Sequence, residues 1–361
     1  MSRILVVRLS ALGDVVMASG LIPALRERHP QAHLAWLVEP AAAPLLRHNP
    51  RLDEVIVWPR AEWQALARGG RWLALARAAW RFRRALRARG FTLAIDAQGL
   101  LKSALLARWS GAARRISLIG HEGSHRLMTE RVQPAPDPTR PIAAEYRALA
   151  RHLGAAAPYR MDLAVGDAPR AAAHARLAEA GVQGPYALLA PCTTRPQKHW
   201  FDDRWSALAG ALRGEGLTPV LLGGPADRAR AAAIAAAAPG LVDLVGRLAL
   251  DETVAAVQGA ALLVGVDTGA RRADRRAVRL DAALPRRAHA AHRGDLPRPR
   301  LLALPPPPDL RRPLRLHARD RGRRGARPRP SRDGGGGMKT LHVEAGMHLY
   351  GGALQVVFLL Q

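Results

Sequence analysis

The sequence predicts an α/β fold made of two halves, each a parallel sheet with helices on both faces. Short β-rich runs alternate with longer helical runs rich in Ala, Leu and Arg, and this alternation is typical of parallel sheets. It starts at residue 3, weakens near 155–185 and restarts at residue 186. A chain of 361 residues is long enough to form two domains with separate cores.

In the first half, four buried strands are separated by helical segments. The strands are predicted at "RILVVRL" (3–9), "AHLAWLVEP" (32–40), "VIVWP" (55–59) and "TLAIDAQG" (92–99). Helices are predicted from residue 15 to a stop near Pro30, and at 41–47, 61–89 and 141–155. The segment 121–141 is rich in Pro, His and Arg, which favours a loop. We therefore expect an N-terminal domain at 1–155.

The second half repeats the pattern but stops early. Its strands are predicted at "YALLAP" (186–191), "TPVLLGG" (218–224), "LVDLVG" (241–246) and "ALLVGV" (261–266), with helices at 205–216, 227–240 and 251–260. The pattern breaks off at residue 269, before the sheet and its covering helices are complete. We expect a C-terminal domain at 156–269 that lacks its final third.

The positive charge is concentrated in the segment 270–337. This segment holds 20 Arg, no Lys and 6 Asp, and so contributes +14 of the formal net charge of +26. A disordered tail normally contains Ser, Glu, Lys and Gln, and a nucleic-acid-binding arm normally mixes Lys or aromatic residues with Arg. Arg, Pro, Ala and Gly have the most GC-rich codons. The composition therefore favours a GC-rich gene read out of frame, a disordered frameshift product, over a basic linker or an RNA-binding tail.

Cysteine usage and hydropathy favour a cytoplasmic protein. Cys192 is the single cysteine, which excludes an intramolecular disulfide and is typical of a reducing compartment. The basic, apolar N-terminus is interrupted by Asp14, which favours a strand, a turn and a helix over a signal peptide. No stretch reaches the roughly 18 apolar residues of a membrane span. Any membrane contact is therefore expected to be peripheral.

The motif "SALGDV" (10–15) follows the first strand, at the edge of the sheet where ligands collect in open α/β folds. Gly13 allows a substrate to approach the backbone, and Asp14 stands at the start of a helix. A carboxylate there can accept a proton from an attacking hydroxyl group. Alternatively, Asp14 only complements the helix dipole.

Two polar loops follow strands of the second half. In "PCTTRPQKHW" (191–200), Thr193 and Thr194 can donate hydrogen bonds to a diphosphate and Lys198 can supply charge. The glycines of a P-loop are missing, and the alternative is a polar loop that caps the next helix at Asp202 or Asp203. The second loop, "VDTG" (266–269), either presents backbone N–H groups to an anion or forms a common turn. Together the loops indicate a nucleotide-sugar site opposite a carboxylate.

These motifs resemble those of glycosyltransferase family 9, in its lipopolysaccharide heptosyltransferase I branch. The resemblance covers residues 3–269 and includes the order and spacing of "SALGDV", "IDAQGLLKSALLA" (95–107), "TTRPQKHW", "LLGGPADRARAAAIA" (221–235) and "LVGVDTG". It implies the GT-B fold, in which two Rossmann-like domains face a cleft, and an inverting glycosyltransferase. The resemblance implies no cofactor and no metal.

The resemblance also implies substrates and site residues. The reaction would move L-glycero-D-manno-heptose from ADP-heptose to the Kdo (3-deoxy-octulosonate) residues of lipid A precursor, at the cytoplasmic face of the inner membrane. Asp14 matches the catalytic base of the family. The donor ADP-heptose is expected to contact Thr193, Thr194, Lys198, Asp227, Asp267, Thr268 and Gly269. On the acceptor side we expect Ser10, Gly13, Arg60 and Lys102.

The sequence departs from the family after Gly269. There the family continues with a Leu-Ser/Thr-His type sequence that opens a helix, and this chain does not. The last segment, "MKTLHVEAGMHLYGGALQVVFLLQ" (338–361), predicts a strand, a glycine loop and a helix, and resembles the start of a separate GT4-type glycosyltransferase. A shifted frame that runs into a neighbouring gene would produce this order. The alternative is a genuine C-terminal strand and helix.

A basic stretch at 60–89 suits an anionic acceptor at a membrane surface. It contains one acidic residue, Glu62, and nine arginines: Arg60, Arg68, Arg71, Arg77, Arg81, Arg83, Arg84, Arg87 and Arg89. The alternative for most of these arginines is a solvated helix face. The interleaved Trp63, Trp72 and Trp80 either enter the membrane interface or pack inward.

Two further interpretations of the whole chain stay open. One is a basic nucleic-acid-binding protein with an Arg-rich tail, and the other is a remnant without activity. Because the tail lacks Lys and aromatic residues, we expect no nucleic acid among the partners. The expected partners are ADP-heptose, a Kdo-lipid A acceptor and the inner-membrane surface.

Overall fold

The computed structural model describes residues 2–118, 120–134, 144–193 and 199–266 in full. Beyond them it describes the backbone of four strands, at 278–279, 317–318, 339–344 and 355–360. Within these residues the chain forms two sheets, one in each half. The predicted α/β class with parallel sheets is confirmed.

The first sheet contains six parallel strands in the order β3-β2-β1-β4-β5-β6. The strands are β1 (Arg3–Val7), β2 (His33–Val38), β3 (Glu54–Val57), β4 (Leu93–Asp96), β5 (Arg114–Leu118) and β6 (Glu130–Val132). This is the order of the doubly wound Rossmann-type sheet, in which ligands bind at the carboxyl ends of the strands where the order reverses. Here that point lies between β1 and β4.

Helices cover both faces of the first sheet. They are α1 (Leu12–Ala18), α2 (Leu21–Arg28), α3 (Arg60–Arg68), α4 (Trp72–Ala88), α5 (Leu101–Trp109) and α6 (Ala144–His152). Side chains alternate along β1, so that Ile4 and Val6 join the core under α1, α2 and α6, whereas Leu5 and Val7 join the core under α4 and α5. Both faces of this sheet are therefore buried.

Three local predictions for the first half were wrong in detail. The helix expected at 41–47 is a 3₁₀ helix, Pro40–Leu45, because Pro44 cannot donate an α-helical hydrogen bond. The helix expected at 61–89 is two helices, α3 and α4, separated by a turn in which Gly70 has a φ of +67°. The loop expected at 121–141 contains a 3₁₀ turn, Ser124–Leu127, and the edge strand β6.

The second sheet begins with four parallel strands, in the order β9-β8-β7-β10. The strands are β7 (Tyr186–Ala190), β8 (Thr218–Leu221), β9 (Val242–Asp243) and β10 (Leu262–Gly265). The helices of this half are α7 (Asp167–Glu179), α8 (Asp202–Gly214), α9 (Arg228–Ala236) and α10 (Leu250–Gly259). Two core clusters, one on each face, are built around Leu189 and Leu188 of β7.

The sheet continues past β10 through β11 (Val278–Arg279), which is parallel to β10, and then through antiparallel strands. These are β12 (His317–Ala318), β13 (Lys339–Glu344) and β14 (Gln355–Leu360). The helix predicted at the end of 338–361 was wrong, because β14 pairs along its length with β13. Its sequence, "QVVFLL", contains the β-branched and aromatic residues that favour strands. The rest of the Arg-rich segment 270–337 lies outside the described residues.

The two halves share core residues. Val254 of α10 is buried in the first half's core, and Leu250 packs against that core. His48 Nε2 lies 3.9 Å from Asp251 Oδ2. The connecting segment also packs on the first half, where the Tyr159 hydroxyl donates to the Met17 carbonyl at 2.7 Å. The predicted domain limits at 155, 156 and 269 stay a prediction.

Candidate functional site

The carboxyl rim is the group of residues that follow β1, β2, β3 and β4 at one edge of the first sheet: 8–14, Glu39, Arg60 and 96–102. Parallel strands all end at this edge, so their loops lie next to one another. The predicted residues Ser10, Gly13, Asp14, Arg60 and Lys102 all belong to this rim. The structure thus brings the sequence-predicted residues of the first half to one edge.

Asp14 stands in the first turn of α1 and forms an ion pair with Arg8. The distance from Arg8 Nη2 to Asp14 Oδ2 is 2.7 Å. The backbone N–H of Ala11 also donates to Oδ2, at 3.3 Å, so the carboxylate caps its own helix as well. The same carboxylate therefore interacts with the start of the helix and lies on the carboxyl rim. A helix-capping role and a role as a base are compatible for Asp14.

Arg8 is a rim residue that the sequence analysis missed. Its guanidinium is buried, donates from Nη1 to the Ala97 carbonyl at 3.0 Å and lies 5.7 Å from the centre of the Tyr146 ring. Among the described residues its Nε has no hydrogen-bond partner. The available signal was a single arginine that closes an apolar strand six residues before a carboxylate. Arg8 joins the ends of β1 and β4, where the strand order reverses.

Glu39 links the two predicted acceptor-side cations. Its Oε1 lies 3.2 Å from Arg60 Nη1 and 3.5 Å from Lys102 Nζ. Arg60 begins α3 after β3, Lys102 lies in the first turn of α5 after β4, and Glu39 follows β2. Three separate strand ends therefore contribute to one cluster. The cluster carries one negative and two positive charges, which favours an anionic ligand.

The loop after β4 is held by a buried carboxylate. Asp96 Oδ1 accepts hydrogen bonds from the N–H groups of Gln98 and Gly99 at 2.9 and 3.0 Å, and Oδ2 accepts one from the Ser103 hydroxyl at 3.1 Å. Burial raises the pKa of Asp96 to about 6, although these hydrogen bonds oppose the shift. Gln98 Oε1 in turn accepts from the Leu9 N–H at 2.9 Å. Asp96 thus orders the loop that braces the strand end before Ser10.

In the second half, Thr193 follows β7 and contacts His199. His199 Nε2 lies 2.8 Å from the Thr193 carbonyl oxygen and 3.2 Å from the Thr193 nitrogen. The predicted donor residues Thr194, Lys198, Asp267, Thr268 and Gly269 lie outside the described residues. Their predicted contacts with a diphosphate stay a prediction.

The alternative role for this loop, capping of α8 by an aspartate, was wrong. The N-cap of α8 is Phe201, which offers no side-chain cap, and Asp202 already lies inside the helix. Asp202 Oδ1 instead pairs with Arg230 Nη2 at 2.6 Å, and the same nitrogen donates to the Trp200 carbonyl at 2.6 Å. The start of α8 is thus tied to α9 through Arg230.

Asp227 ends the 3₁₀ turn after β8 and lies beside Cys192. Its Oδ2 accepts from the Gly224 N–H at 2.9 Å. Burial, and after it the negative charge of Asp227, raises the pKa of the Cys192 thiol to about 11. Cys192 is therefore a neutral thiol near pH 7, without the thiolate that a nucleophile requires. Asp227 thus stands beside the predicted donor loop.

In the described part of the chain, no group of three or more His, Cys, Asp or Glu side chains is arranged to hold a metal ion. None of the helices described combines the length and the hydropathy that crossing a bilayer requires.

Comparisons with known proteins converge on one group. Residues 79–271 match the model of glycosyltransferase family 9 (heptosyltransferase). Lipopolysaccharide heptosyltransferase 1 of Salmonella typhimurium is 30% identical over 282 residues, which cover 74% of this chain and 83% of that protein. Among solved structures, E. coli heptosyltransferase WaaC with ADP is 26% identical, with a TM-score of 0.60 and coverage of 77% of this chain and 87% of that one.

A second solved structure supports the fold alone. The glycosyl transferase family 9 protein from Veillonella parvula is 20% identical to this chain, with a TM-score of 0.65. The superposition covers 75% of this chain and 77% of that one. The chain therefore shares its fold with this known structure.

Proposed function

Because the chain belongs to glycosyltransferase family 9, the heptosyltransferases, we propose that it moves L-glycero-D-manno-heptose from ADP-heptose to the Kdo residues of a lipid A precursor, with inversion at the anomeric carbon. The fold is of the GT-B type, and the chain is a transferase by family. The observation that carries the proposal is the Arg8–Asp14 ion pair on the carboxyl rim.

The proposed chemistry is a single displacement. An acceptor hydroxyl oxygen bonds to the anomeric carbon, the bond from that carbon to the diphosphate oxygen breaks, and its electron pair leaves with ADP. Asp14 takes the hydroxyl proton as general base. Arg8 and the Ala11 N–H both bind Oδ2 of Asp14 and so hold the carboxylate in one orientation.

The proposed substrates are anionic, and the rim offers matching charge. Arg60 and Lys102 share Glu39, so this cluster can pair with the carboxylate of a Kdo residue. On the donor side, ADP is the ligand of the E. coli relative. Thr193, Thr194, Lys198, Asp227, Asp267, Thr268 and Gly269 are proposed to bind ADP-heptose and to stabilise the departing diphosphate by hydrogen bonds and charge.

The test is the Asp14→Asn variant in an assay of heptose transfer from ADP-heptose to Kdo-lipid A. We expect transfer to fall by about 10²–10⁴-fold, because the amide cannot accept the proton. ADP binding, measured by calorimetry, should be unchanged. Asp167→Asn is the matched control, since Asp167 also stands in the first turn of a helix, α7, but away from the rim. An Asp14→Asn variant with parental activity would contradict the proposed base.

The parental chain itself provides the second comparison. Transfer by the chain as it stands would show that the sequence after residue 269 does not prevent activity. ADP binding without transfer, together with transfer by a version whose frame is corrected after residue 269, would favour the remnant interpretation.

A further inference from the structure

The outward face of α4 exposes large apolar side chains. Trp72, Leu73 and Trp80 are 64%, 77% and 58% exposed. Trp63, by contrast, packs inward, with its ring 5.8 Å from that of Trp58 and 5.6 Å from that of Phe82. Of the three tryptophans, Trp63 therefore packs inward, whereas Trp72 and Trp80 face outward.

These exposed side chains lie on one side of the helix. At 3.6 residues per turn, Trp72, Trp80 and Leu73 fall within an arc of about 100°. The packed side of α4, with Leu86 buried and Phe82 half-buried, lies against the core of the first half. α4 is therefore apolar on its packed side and again on part of its outward side, which burial in the monomer does not explain.

The charge on α4 has one sign. No acidic residue occurs between Glu62 and Asp96, and residues 71–89 contain seven arginines. Arg89 pairs with Glu54 at 2.6 Å, but Arg71, Arg77, Arg81, Arg83, Arg84 and Arg87 form no ion pair with any other described residue. Arg84 lies over the Trp80 ring, 5.5 Å from its centre. An outward face of tryptophan, leucine and unpaired arginine is typical of helices that lie in a membrane interface.

A basic pocket continues this face towards α5. Its volume is about 330 Å³, and it is lined by Arg83, Arg87, Arg108, Arg115, Leu105 and Trp109. Arg115 is held in place because Nε and Nη1 donate to the carbonyls of Leu127 and Ala112, at 2.8 and 2.6 Å. The pocket has the charge and the apolar wall that suit a phosphate group with its attached lipid.

We propose that the outward face of α4 docks on the surface of an anionic phospholipid bilayer. Trp72, Leu73 and Trp80 enter the interface, while the arginines of α4 and the pocket bind lipid phosphates. Because the chain runs from the carboxyl end of β3 to the amino end of β4, the start of α4 lies toward the carboxyl rim. Docking therefore brings the rim close to the membrane surface. The inference goes beyond the transfer reaction and does not depend on it.

The test is co-sedimentation of the full chain with phosphatidylcholine vesicles, with and without one quarter phosphatidylglycerol. We expect binding to the anionic vesicles to fall at least tenfold in Trp72→Ser/Trp80→Ser. In Arg77→Gln/Arg81→Gln/Arg84→Gln it should fall by roughly fivefold for each arginine at low salt. The matched controls are Phe201→Ser, an exposed aromatic residue of the second half, and Arg170→Gln/Arg176→Gln/Arg204→Gln on α7 and α8. Both controls should bind as the parent does.

Brominated lipids provide a readout that is specific to α4. The chain has eight tryptophans, and all of them except Trp72 and Trp80 are buried or half-buried. Brominated acyl chains should therefore quench parental fluorescence and leave that of Trp72→Phe/Trp80→Phe nearly unquenched. All variants keep the Arg-rich segment 270–337, so any binding through that segment is constant among them.

Three outcomes would overturn the proposal. The first is equal sedimentation of the parent and the Trp72→Ser/Trp80→Ser variant, and the second is equal binding to neutral and anionic vesicles. The third is a pattern in which the arginine variant loses affinity for a single-stranded RNA 20-mer but keeps its affinity for vesicles. Circular dichroism of each variant checks that the exposed substitutions leave the fold intact.

Discussion

Arg8 lies at the end of a buried strand, and its guanidinium holds together groups from two strand ends. It pairs with Asp14 after β1 and binds the Ala97 carbonyl after β4. The sequence pattern predicted Asp14 from its position after a strand, but not Arg8, because strand periodicity alone assigns residue 8 to the core. Only the tertiary arrangement of β1 beside β4 shows what the guanidinium contacts.

We expect Arg8→Met to lower kcat of heptose transfer by about 10–100-fold, because Asp14 loses the group that orients it. The KM for ADP-heptose should change little, and Arg8→Lys should recover part of kcat, since one ammonium group cannot replace both contacts of the guanidinium. Steady-state kinetics measure this split. Arg26→Met is the control, because Arg26 forms a similar ion pair with Asp53, at 2.8 Å, at the start of β3 and far from the rim. Equal losses in both variants would indicate a general loss of stability.

Asp96 gives the fold a defined pH dependence. Its pKa rises from 3.8 to about 6 on folding, so the native state binds this proton more tightly than the unfolded state does. The contribution to stability is complete below about pH 4 and is lost as the pH rises through about 6. In Asp96→Asn this pH dependence of the unfolding free energy should disappear. The amide does not titrate, its oxygen can still accept hydrogen bonds from the backbone, and its N–H can donate to Ser103 Oγ.

Urea unfolding at pH 4.5, 5.5 and 7 measures the effect, and the difference in unfolding free energy between parent and variant should change by about 2 kcal/mol across this range. Glu54→Gln is the control of opposite sign, because the Arg89 hydrogen bond lowers the pKa of Glu54. A parallel pH profile for the parent and Asp96→Asn would show that Asp96 is ionised in the fold throughout this range.

At the scale of elements, periodicity predicted the long and strongly buried segments. All eight strands expected between residues 3 and 266 are present, because continuous apolar runs such as "ILVV" can be buried only between two helical layers. β5 and β6 were missed. The sequence of β5, "RRISL", begins with two arginines and so lacks a continuous apolar run, and β6 has only three residues, too few to show a periodic pattern. The 3₁₀ helix and the helix breaks depend on single Pro and Gly residues, whose effect is set by neighbouring elements.

The break between α1 and α2 is one example, because Gly20 in this break packs against the connecting segment. A Cβ atom on Gly20 would lie 2.5 Å from Cζ of Tyr159 and 2.7 Å from the Arg160 carbonyl oxygen. The missing side chain therefore makes room for the connecting segment, whose Tyr159 hydroxyl donates to Met17. A single sequence position thus fixes how closely the connection packs on the first half.

We expect Gly20→Ala to lower the free energy of unfolding by about 1–3 kcal/mol, because the methyl group displaces Tyr159. Chemical denaturation monitored by circular dichroism measures it. Gly210→Ala in α8 is the matched control: no atom lies within 4 Å of its added Cβ, and the change should stabilise the helix by about 0.5–1 kcal/mol. A Gly20→Ala variant as stable as the parent would show that Tyr159 does not restrict the side chain at this position.

At the scale of the molecule, α10 belongs structurally to both halves. Val254 is buried in the first half's core, whereas Val257, one turn later, is buried in the second half's core. Sequence predicted two halves but not this sharing, because amphipathicity shows that a helix has an apolar side and not which core receives it. For the same reason, the rim residues were predictable one by one while the Glu39 cluster, which joins three strand ends, was not.

We expect Val254→Ala and Val257→Ala each to destabilise the protein by about 1–3 kcal/mol through the cavity left behind. The two substitutions should loosen different regions of the protein. Native-state hydrogen exchange should accelerate in α1 and α2 of Val254→Ala, but only in α7 and β7 of Val257→Ala. If both variants affect the second half alone, α10 does not couple the two cores.

Because α10 contributes to both cores, it also affects when the first half can complete its folding during synthesis on the ribosome. N-terminal segments leave the ribosome first and usually begin to fold there. Here, however, the first half lacks Leu250 and Val254 until almost all of the second half has been made. The nascent N-terminal half must therefore wait with part of its core open to solvent. The family resemblance ends at residue 269, shortly after α10, so the part of the chain that resembles the family includes Leu250 and Val254.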